Sequence, residues 1–378
     1  MKGETSGLRT WIEVRREAIK SNVEVFRSLI SPKTKLMVVV KSNAYGHSLL
    51  DFAKEAEMLG ADFFGVDSIV EALALRKNGI KAPILVLGYT LHDMIPAAVE
   101  ADISLTVSSF ETVEAIEKCS FPKPLKIHVK VDTGMHRQGF LLEQQKTLTS
   151  KLKTKNSKLI VEGLYTHFAA AKNPAFPQDT KAQMVEFKIW IDAFKKAGFN
   201  TINHAAATAG TMLFPESHFD MVRVGIGLYG LWPAKEVEAF FSGKIKLQPV
   251  LSWKTIIGEI KKIPKGSRVG YDLTEQVAQD STLAVCPIGY WHGFPRSLSS
   301  VGHVLVNGHR AKIIGRVSMD MITIDITGIT EVSLEDEVVL IGKQGELTIS
   351  AEDVAYLSDS SWYEIVTRLN PLIKRLYL

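Results

Sequence analysis

Residues 36–59 read LMVVVKSNAYGHSLLDFAKEAEML, and the reading of this stretch decides the fold. Leu36–Val40 is an unbroken apolar run, short and rich in valine, as expected of a strand buried on both faces. Leu49–Leu59 has helical periodicity, with Ser48 in place to cap it. A buried strand, a turn and an amphipathic helix form the repeating unit of parallel βαβ sheets. Between the two elements the chain changes character. Lys41 ends the apolar run, and Ser42, Asn43, Tyr45, Gly46 and His47 follow at once. In barrels of such units, chemistry sits where strands end.

The same unit recurs outward from this stretch. Apolar runs at Phe63–Val66, Ile84–Leu87, Ile103–Val107, Ile127–Val131, Leu159–Tyr165, Thr201–Ala207 and Met221–Leu228 bring the number to eight. Helical periodicity fills most intervals, as at Ile69–Lys77, Ser109–Lys118 and Lys181–Ala197, with Asp67, Ser109 and Asp179 as candidate caps. Eight βα units imply an α/β fold, an N-terminal (β/α)8 TIM-type barrel. A doubly wound open sheet is the competing reading. After Ile245 the texture changes. Val250–Ile260, Thr282–Val285, His303–Val306, Ala311–Ile314, Met321–Ile326 and Glu337–Ile341 are strand-like and separated by short turns, with one later helix expected over Ser350–Leu357. This pattern predicts a C-terminal mainly-β domain. The expected limits are 11–245 for the barrel and 246–378 for the β domain. An N-terminal strand within 1–14 is expected to pair with the β domain.

Composition narrows the class. The chain has 378 residues, 46% hydrophobic and 23% charged, with a net charge of +4. That charge is too dilute to argue for nucleic acid. The two cysteines, Cys119 and Cys286, form no metal-ligand spacing and no disulfide framework, so no metal is expected and a reducing compartment fits. Met1–Arg9 lacks the apolar core of a signal peptide, and no run is long enough to span a membrane. The expected location is the cytoplasm.

Several groups stand out against bland alternatives. Lys41, at a strand end where burial disfavours a charged amine, is a candidate for Schiff-base formation. The alternative is a lysine lying along a barrel rim. In HVKVDTGMHRQGF, His128–Phe140, alternation puts His128, Lys130 and Asp132 on one face, which inside a barrel places ionisable groups in the interior. Arg137 could clamp a carboxylate. His167 in LYTHFAA and His204 in INHAAATAG are more often structural than catalytic when taken alone. Arg223 interrupts the apolar MVRVGIGLYG, whose Gly225, Gly227 and Gly230 permit close backbone approach. Thr208 could cap a short helix or offer its hydroxyl to a phosphate. Tyr271 lies in a turn-like Gly-Tyr-Asp that could equally be a plain hairpin tip.

Taken together, VVVKSNAYGH, KVDTGMHRQGF, THFA, VRVGIGLYG, IGYWHGFPR and GRVSMDM resemble the bacterial alanine racemases, fold-type III enzymes dependent on pyridoxal 5′-phosphate (PLP). The likeness runs in order from about Thr10 to Arg375. It implies that Lys41 holds PLP covalently and acts as the base on the D-alanine face. Tyr271 is similar to the tyrosine that serves the L-alanine face from the other subunit, which makes the active unit a homodimer. Two bases on opposite faces of one planar carbanion are needed because a single base tends to return the proton to the face it left. By the same resemblance Arg223 holds the pyridine nitrogen. Tyr45, Thr208, Gly225, Ile226 and Tyr363 contact the phosphate, and His167 links Arg223 to the tyrosine. Arg137 and the backbone of Met319 contact the substrate carboxylate. Lys130 matches a lysine that is often carbamylated, and Tyr290 and Asp320 line the mouth of the site.

Three positions depart from the family pattern. Its usual His-x-Ala-Asn-Ser is here His204-Ala-Ala-Ala207-Thr208, Trp362 precedes Tyr363, and Ser318 stands where some members have cysteine. The implied function is interconversion of L- and D-alanine, supplying D-alanine for peptidoglycan. Competing readings are a racemase of another amino acid such as serine, motivated by Ala207, and a non-catalytic PLP-binding barrel. The long C-terminal half argues against the latter. A decarboxylase of the same fold lacks its cysteine-bearing motif here.

Overall fold

The computed structural model describes residues 5–153 and 158–378; Met1–Glu4, the start of the expected segment 1–14, lie outside the described residues. By internal contacts the chain divides into two units. One comprises Glu17–Ala44 and Leu49–Gln248, the other Met1–Arg16, Tyr45–Ser48 and Pro249–Leu378.

The first unit is a (β/α)8 barrel. Its strands are β2 (Lys35–Val39), β3 (Phe63–Val66), β4 (Ile84–Val86), β5 (Ser104–Val107), β6 (Leu125–Lys130), β7 (Leu159–Tyr165), β8 (Ile202–His204) and β9 (Met221–Val224). All neighbours pair in parallel, in the order β8-β7-β6-β5-β4-β3-β2-β9. The ring closes between β8 and β9 through two backbone bonds, Asp220 amide to Asn203 O at 3.0 Å and Arg223 amide to Ala206 O at 2.9 Å. Met37, Phe63, Leu85 and Met221 fill one layer of the interior. Helix Ile69–Lys77 is capped by Ser68, with a reciprocal bond from Glu71, one residue after the expected Asp67. Ser109 caps helix Phe110–Lys118 as expected. Asp179 lies inside the first turn of helix Gln178–Lys196 instead of capping it. There its charge still faces the positive end of the helix dipole.

The second unit is mainly β. Its strands are β1 (Thr10–Val14), β10 (Leu251–Ile256), β11 (Glu259–Ile263), β12 (Arg268–Val269), β13 (Glu275–Gln276), β14 (Ser281–Cys286), β15 (His303–Val306), β16 (His309–Ile313), β17 (Ile322–Asp325), β18 (Glu337–Gln344), β19 (Leu347–Ile349) and β20 (Lys374–Tyr377). The main sheet runs β11-β14-β17-β16-β15-β18-β10-β1-β20. Strand β1 pairs antiparallel with β10 and parallel with β20. The expected Val250–Ile260 run is two strands, broken at Ile257–Gly258, where Gly258 donates to Val285 O at 2.8 Å. Ser350 caps helix Ala351–Leu357.

Residues Tyr45–Ser48 are anchored in this second unit. Gly46 O accepts from Arg375 Nε at 3.0 Å, and Tyr377 OH donates to His47 O at 2.6 Å. Gly46 has φ +86°, and a Cβ there would lie 2.0 Å from Val366 O. Both conditions exclude a side chain. Gly46→Ala is therefore expected to cost about 3 kcal/mol or more. Urea unfolding checks this, and a midpoint unchanged at constant m-value would contradict the packing.

Candidate active site

The chain leaves β2 through a left-handed turn. Ser42, Asn43, Ala44 and Tyr45 all have φ between 51° and 56°, and the Ala44 amide donates to Val40 O at 2.8 Å. Each non-glycine residue held this way costs roughly 1–2 kcal/mol, asparagine least. Side chains hold it in place. The Ser42 amide donates to Glu71 Oε1 at 2.7 Å, and the Leu49 amide to Asn43 Oδ1 at 2.9 Å. Glu71 Oε2 also accepts from the Asp67 amide at 2.8 Å, so one carboxylate ties the turn to the next helix cap. Lys41 opens this turn. Its Nζ lies 3.5 Å from Asp67 Oδ1, with the side chain 38% exposed. The burial expected of Lys41 is thus incomplete, because it stands past the strand and at the barrel mouth.

Arg223 is buried on β9 and makes directed contacts on three sides. One Nη donates to His204 Nδ1 at 2.9 Å. The other donates to Thr166 O at 2.8 Å, to Ala205 O at 2.9 Å and to His167 Nδ1 at 3.2 Å. Its Nε meets no acceptor among the described residues. Burial draws the guanidinium down to about 10, still charged at neutral pH. A guanidinium only donates, so both facing Nδ1 atoms must be bare. Burial, and then Arg223 itself, hold His167 down to about 3 and His204 well below its ordinary value. Both are neutral rings. Tyr165 stacks on His204 with ring centres 4.7 Å apart, and Arg223 lies over the same ring at 5.2 Å.

Lys130 points into the same interior, 5.7 Å from the Tyr165 ring centre, and donates to Gln138 at 3.3 Å. Burial first, then the charges of Arg137 and Arg223, lower its amine to about 8. Asp132 is buried beside Lys130, as alternation implied, and its carboxylate turns to the loop that follows. It lies beyond the end of β6, where Oδ1 accepts the amides of Gly134 and Met135 at 2.9 Å and of His136 at 3.0 Å, and Oδ2 accepts the Arg137 amide at 3.2 Å. Burial opposes its ionisation, and these amides outweigh that, leaving the carboxyl below its ordinary range. The loop so shaped presents Arg137, which is exposed and whose guanidinium has no partner among the described residues. A shallow recess lies between Lys130, Asp132, Arg137 and His167.

On the other side of Arg223, the Gly225 amide donates to Thr208 Oγ1 at 3.2 Å, which leaves the Thr208 hydroxyl proton for another acceptor. Ala207, not Thr208, is the cap residue of helix Thr208–Leu213 and offers no side chain to it. The apolar run expected to continue to Leu228 ends at Val224. Ile226–Tyr229 is a tight 3-10 turn closed by Gly230 at φ 77°. Gly227 is small for packing, since a Cβ would sit 2.3 Å from Phe26 Cζ.

Within the second unit, the rings of Tyr45 and Tyr363 lie 6.4 Å apart, and burial pushes the Tyr45 hydroxyl up to about 12. Tyr271 stands at the tip between β12 and β13 and is 70% exposed. The tip is held by Glu275, which accepts the Gly315 amide at 2.8 Å and pairs with Lys312 at 2.6 Å. The Tyr290 and Trp291 amides donate to Ser318 O and Met319 O, each at 3.0 Å, bringing Tyr290, Met319 and Asp320 together.

Glu71 and Tyr165 of these networks were not singled out from the sequence. Glu71 looks like an ordinary capping-box acid and Tyr165 like a strand terminus. For Tyr165 a usable signal was its place at the strand end two residues before His167.

Residues 14–233 match the family described as alanine racemase, N-terminal domain, and residues 250–377 match alanine racemase, C-terminal domain. The alanine racemase of Methanococcus maripaludis is 39% identical over 371 residues, covering 97% of this chain and 98% of that protein. Alanine racemase 1 of Oceanobacillus iheyensis is 38% identical over 378 residues, with 99% of each covered. Among solved structures, alanine racemase from Bacillus anthracis with bound L-Ala-P superposes with a TM-score of 0.91 at 38% identity, covering 98% of this chain and 95% of that one. With both of its domains matched and relatives of this similarity end to end, the chain belongs to the alanine racemase family.

Proposed function

We propose that the protein is a PLP-dependent racemase interconverting L- and D-alanine with two bases, Lys41 and the partner subunit's Tyr271. The observation that carries this is Arg223, buried and charged, with two neutral histidines on its Nη groups and an uncommitted Nε–H. Such a donor fits a ring nitrogen that must stay unprotonated. The Thr208 hydroxyl and the backbone of Gly225 and Ile226 fit a phosphate, as do the hydroxyls of Tyr45 and Tyr363, and Lys41 supplies the primary amine for attachment. When bound, PLP supplies an electron sink that acidifies the α-proton of the attached amino acid.

The remaining steps belong to the chain's own groups. Arg137 binds the substrate carboxylate, with the Met319 backbone as a second contact. Lys130, with its lowered amine, is suited to carbamylation, which would set a negative charge beside Arg137 and Arg223. Lys41 Nζ takes or returns the α-proton on one face, and the Tyr271 Oη does so on the other. His167 keeps its proton on Nε2, because Arg223 occupies Nδ1. That N–H is free to fix the catalytic tyrosine. Tyr290 and Asp320 match residues that line the entry to the site.

The homodimer is supported by apolar surface on the second unit, where Tyr271, Leu273, Tyr290, Trp291, Met319 and Met321 are each more than 40% exposed. Functional domains of 11–245 and 246–378, the second completed by the strand within 1–14, are part of the same proposal. Among the described residues no helix is long and apolar enough to cross a membrane, and both cysteines are free. A cytoplasmic location and the supply of D-alanine for peptidoglycan are part of the same proposal and rest on the family likeness. The test is to incubate the purified protein with L-alanine in D2O and follow both enantiomers and α-deuterium. D-Alanine carrying α-deuterium is expected. Exchange with no amino acid would overturn the reading.

A further inference from the structure

Glu162 has no part in the reaction as described, yet it ends a hydrogen-bond chain that begins at Arg223. Arg223 Nη donates to His204 Nδ1 at 2.9 Å. His204 Nε2 lies 2.8 Å from His128 Nδ1, and His128 Nε2 lies 3.1 Å from Glu162 Oε2. Ser104 Oγ donates to the same carboxylate oxygen at 2.5 Å. The first and last links fix the direction of the whole chain. Arginine can only donate and an ionised carboxylate can only accept. His204 therefore carries its one proton on Nε2 and gives it to His128 Nδ1, and His128 carries its own on Nε2 and gives it to Glu162.

The backbone is shaped for this arrangement. In the β6–β7 ladder Ile127 opposes Val161, and the next residue, His128, opposes Gly163. Glu162 is thus the extra residue of a bulge, a device that is rare in parallel pairs and re-aims a side chain. At Gly163 a Cβ would lie 2.1 Å from His128 Nδ1, so only glycine leaves room for the ring. Phe63 meets that ring edge-on at 5.8 Å. Bulge, glycine and ring contact all locate the imidazole, whereas the carboxylate determines which nitrogen holds the proton.

We propose that Glu162, acting through His128 and His204, is a positioning residue for Arg223: its charge fixes both imidazole tautomers so that a lone pair on His204 always faces the guanidinium. A charged orienter two groups away from the chemistry can matter greatly, because the wrong tautomer presents a proton where an acceptor is needed. With that acceptor lost, Arg223 would be held through one Nη only, by Thr166 O, Ala205 O and His167 Nδ1, and the aim of its Nε would be less firmly fixed.

The test uses the purified holoenzyme labelled with 15N-histidine, with His128 assigned through His128→Gln. Long-range 15N–1H correlation is expected to show His128 and His204 as neutral rings protonated on Nε2. An imidazolium, or an Nδ1–H ring, at either position would overturn the proposal, and this arm needs no variant of Glu162. Glu162→Gln keeps the shape and removes the charge. It is expected to mix the two tautomers of His128 and to lower kcat at least ~10-fold while KM for alanine changes little. Glu162→Asp should recover part of the loss. Unchanged kcat with unchanged histidine signals would also overturn it. The kinetic arm rests on the racemase reading and the tautomer arm does not. A wild-type protein inactive on alanine but showing the stated tautomers, with those of His128 mixed in Glu162→Gln, would defeat that reading and support this one.

Discussion

Tyr271→Phe is expected to lower racemisation in both directions by ~10²–10⁴-fold, the usual contribution of a positioned acid–base group. Phenylalanine keeps the ring at the exposed tip between β12 and β13 and removes only the hydroxyl. The two faces of the α-carbon should then behave differently. Lys41 still exchanges the α-proton of D-alanine, so D-alanine in D2O gains deuterium while L-alanine fails to accumulate. Full racemase activity in the variant would remove Tyr271 from the mechanism. Exchange of L-alanine alone would interchange the two bases. Chiral chromatography and proton NMR on one sample separate these results.

Lys41→Arg is expected to abolish both bound-cofactor absorbance and turnover, with a loss of ~10⁴-fold or more. The substitution is chosen because it retains a cation at the mouth of the barrel. It can keep the 3.5 Å pairing with Asp67. What it removes is the primary amine, since a guanidinium is neither a ready nucleophile nor a proton acceptor at neutral pH. Retention of the absorbance band with a folded spectrum would place the covalent attachment elsewhere.

How far the sequence revealed this protein follows from particular residues. Strands Phe63–Val66 and Leu159–Tyr165 lie where their apolar runs lie; in Phe63–Val66 every residue is buried, which leaves little choice of composition. Met221–Leu228 looks equally strand-like, but the chain turns at Gly225, and the isoleucine, leucine and tyrosine beyond it pack as a tight helical turn. Local composition does not separate those outcomes. His128 and Lys130 are placed in the interior by alternation alone. Glu162 is not, because a bulge shifts the register by one residue and bulges carry no reliable signature. Helix Trp362–Thr367, which carries Tyr363, is too short for periodicity to detect. The site residues were named through family likeness. What single-chain physics supplied unaided was a barrel followed by a β domain, and a lysine-based site suited to a phosphate-bearing cofactor.

The left-handed turn after Val40 has a consequence for redesign. Heat-resistant variants are commonly sought by bringing each position into line with its local preference. By that criterion Ser42–Tyr45 is among the worst-scoring segments of the molecule, four non-glycine residues in succession at positive φ. Glycines there would relax several kcal/mol of strain. They would also give the amine at Lys41 a loose tether in place of a fixed one, and Tyr45 would lose its ring. The trade between robustness and activity that enzymes often show is, in this protein, concentrated in Lys41 and the four residues after it, which propensity-guided optimisation should leave untouched.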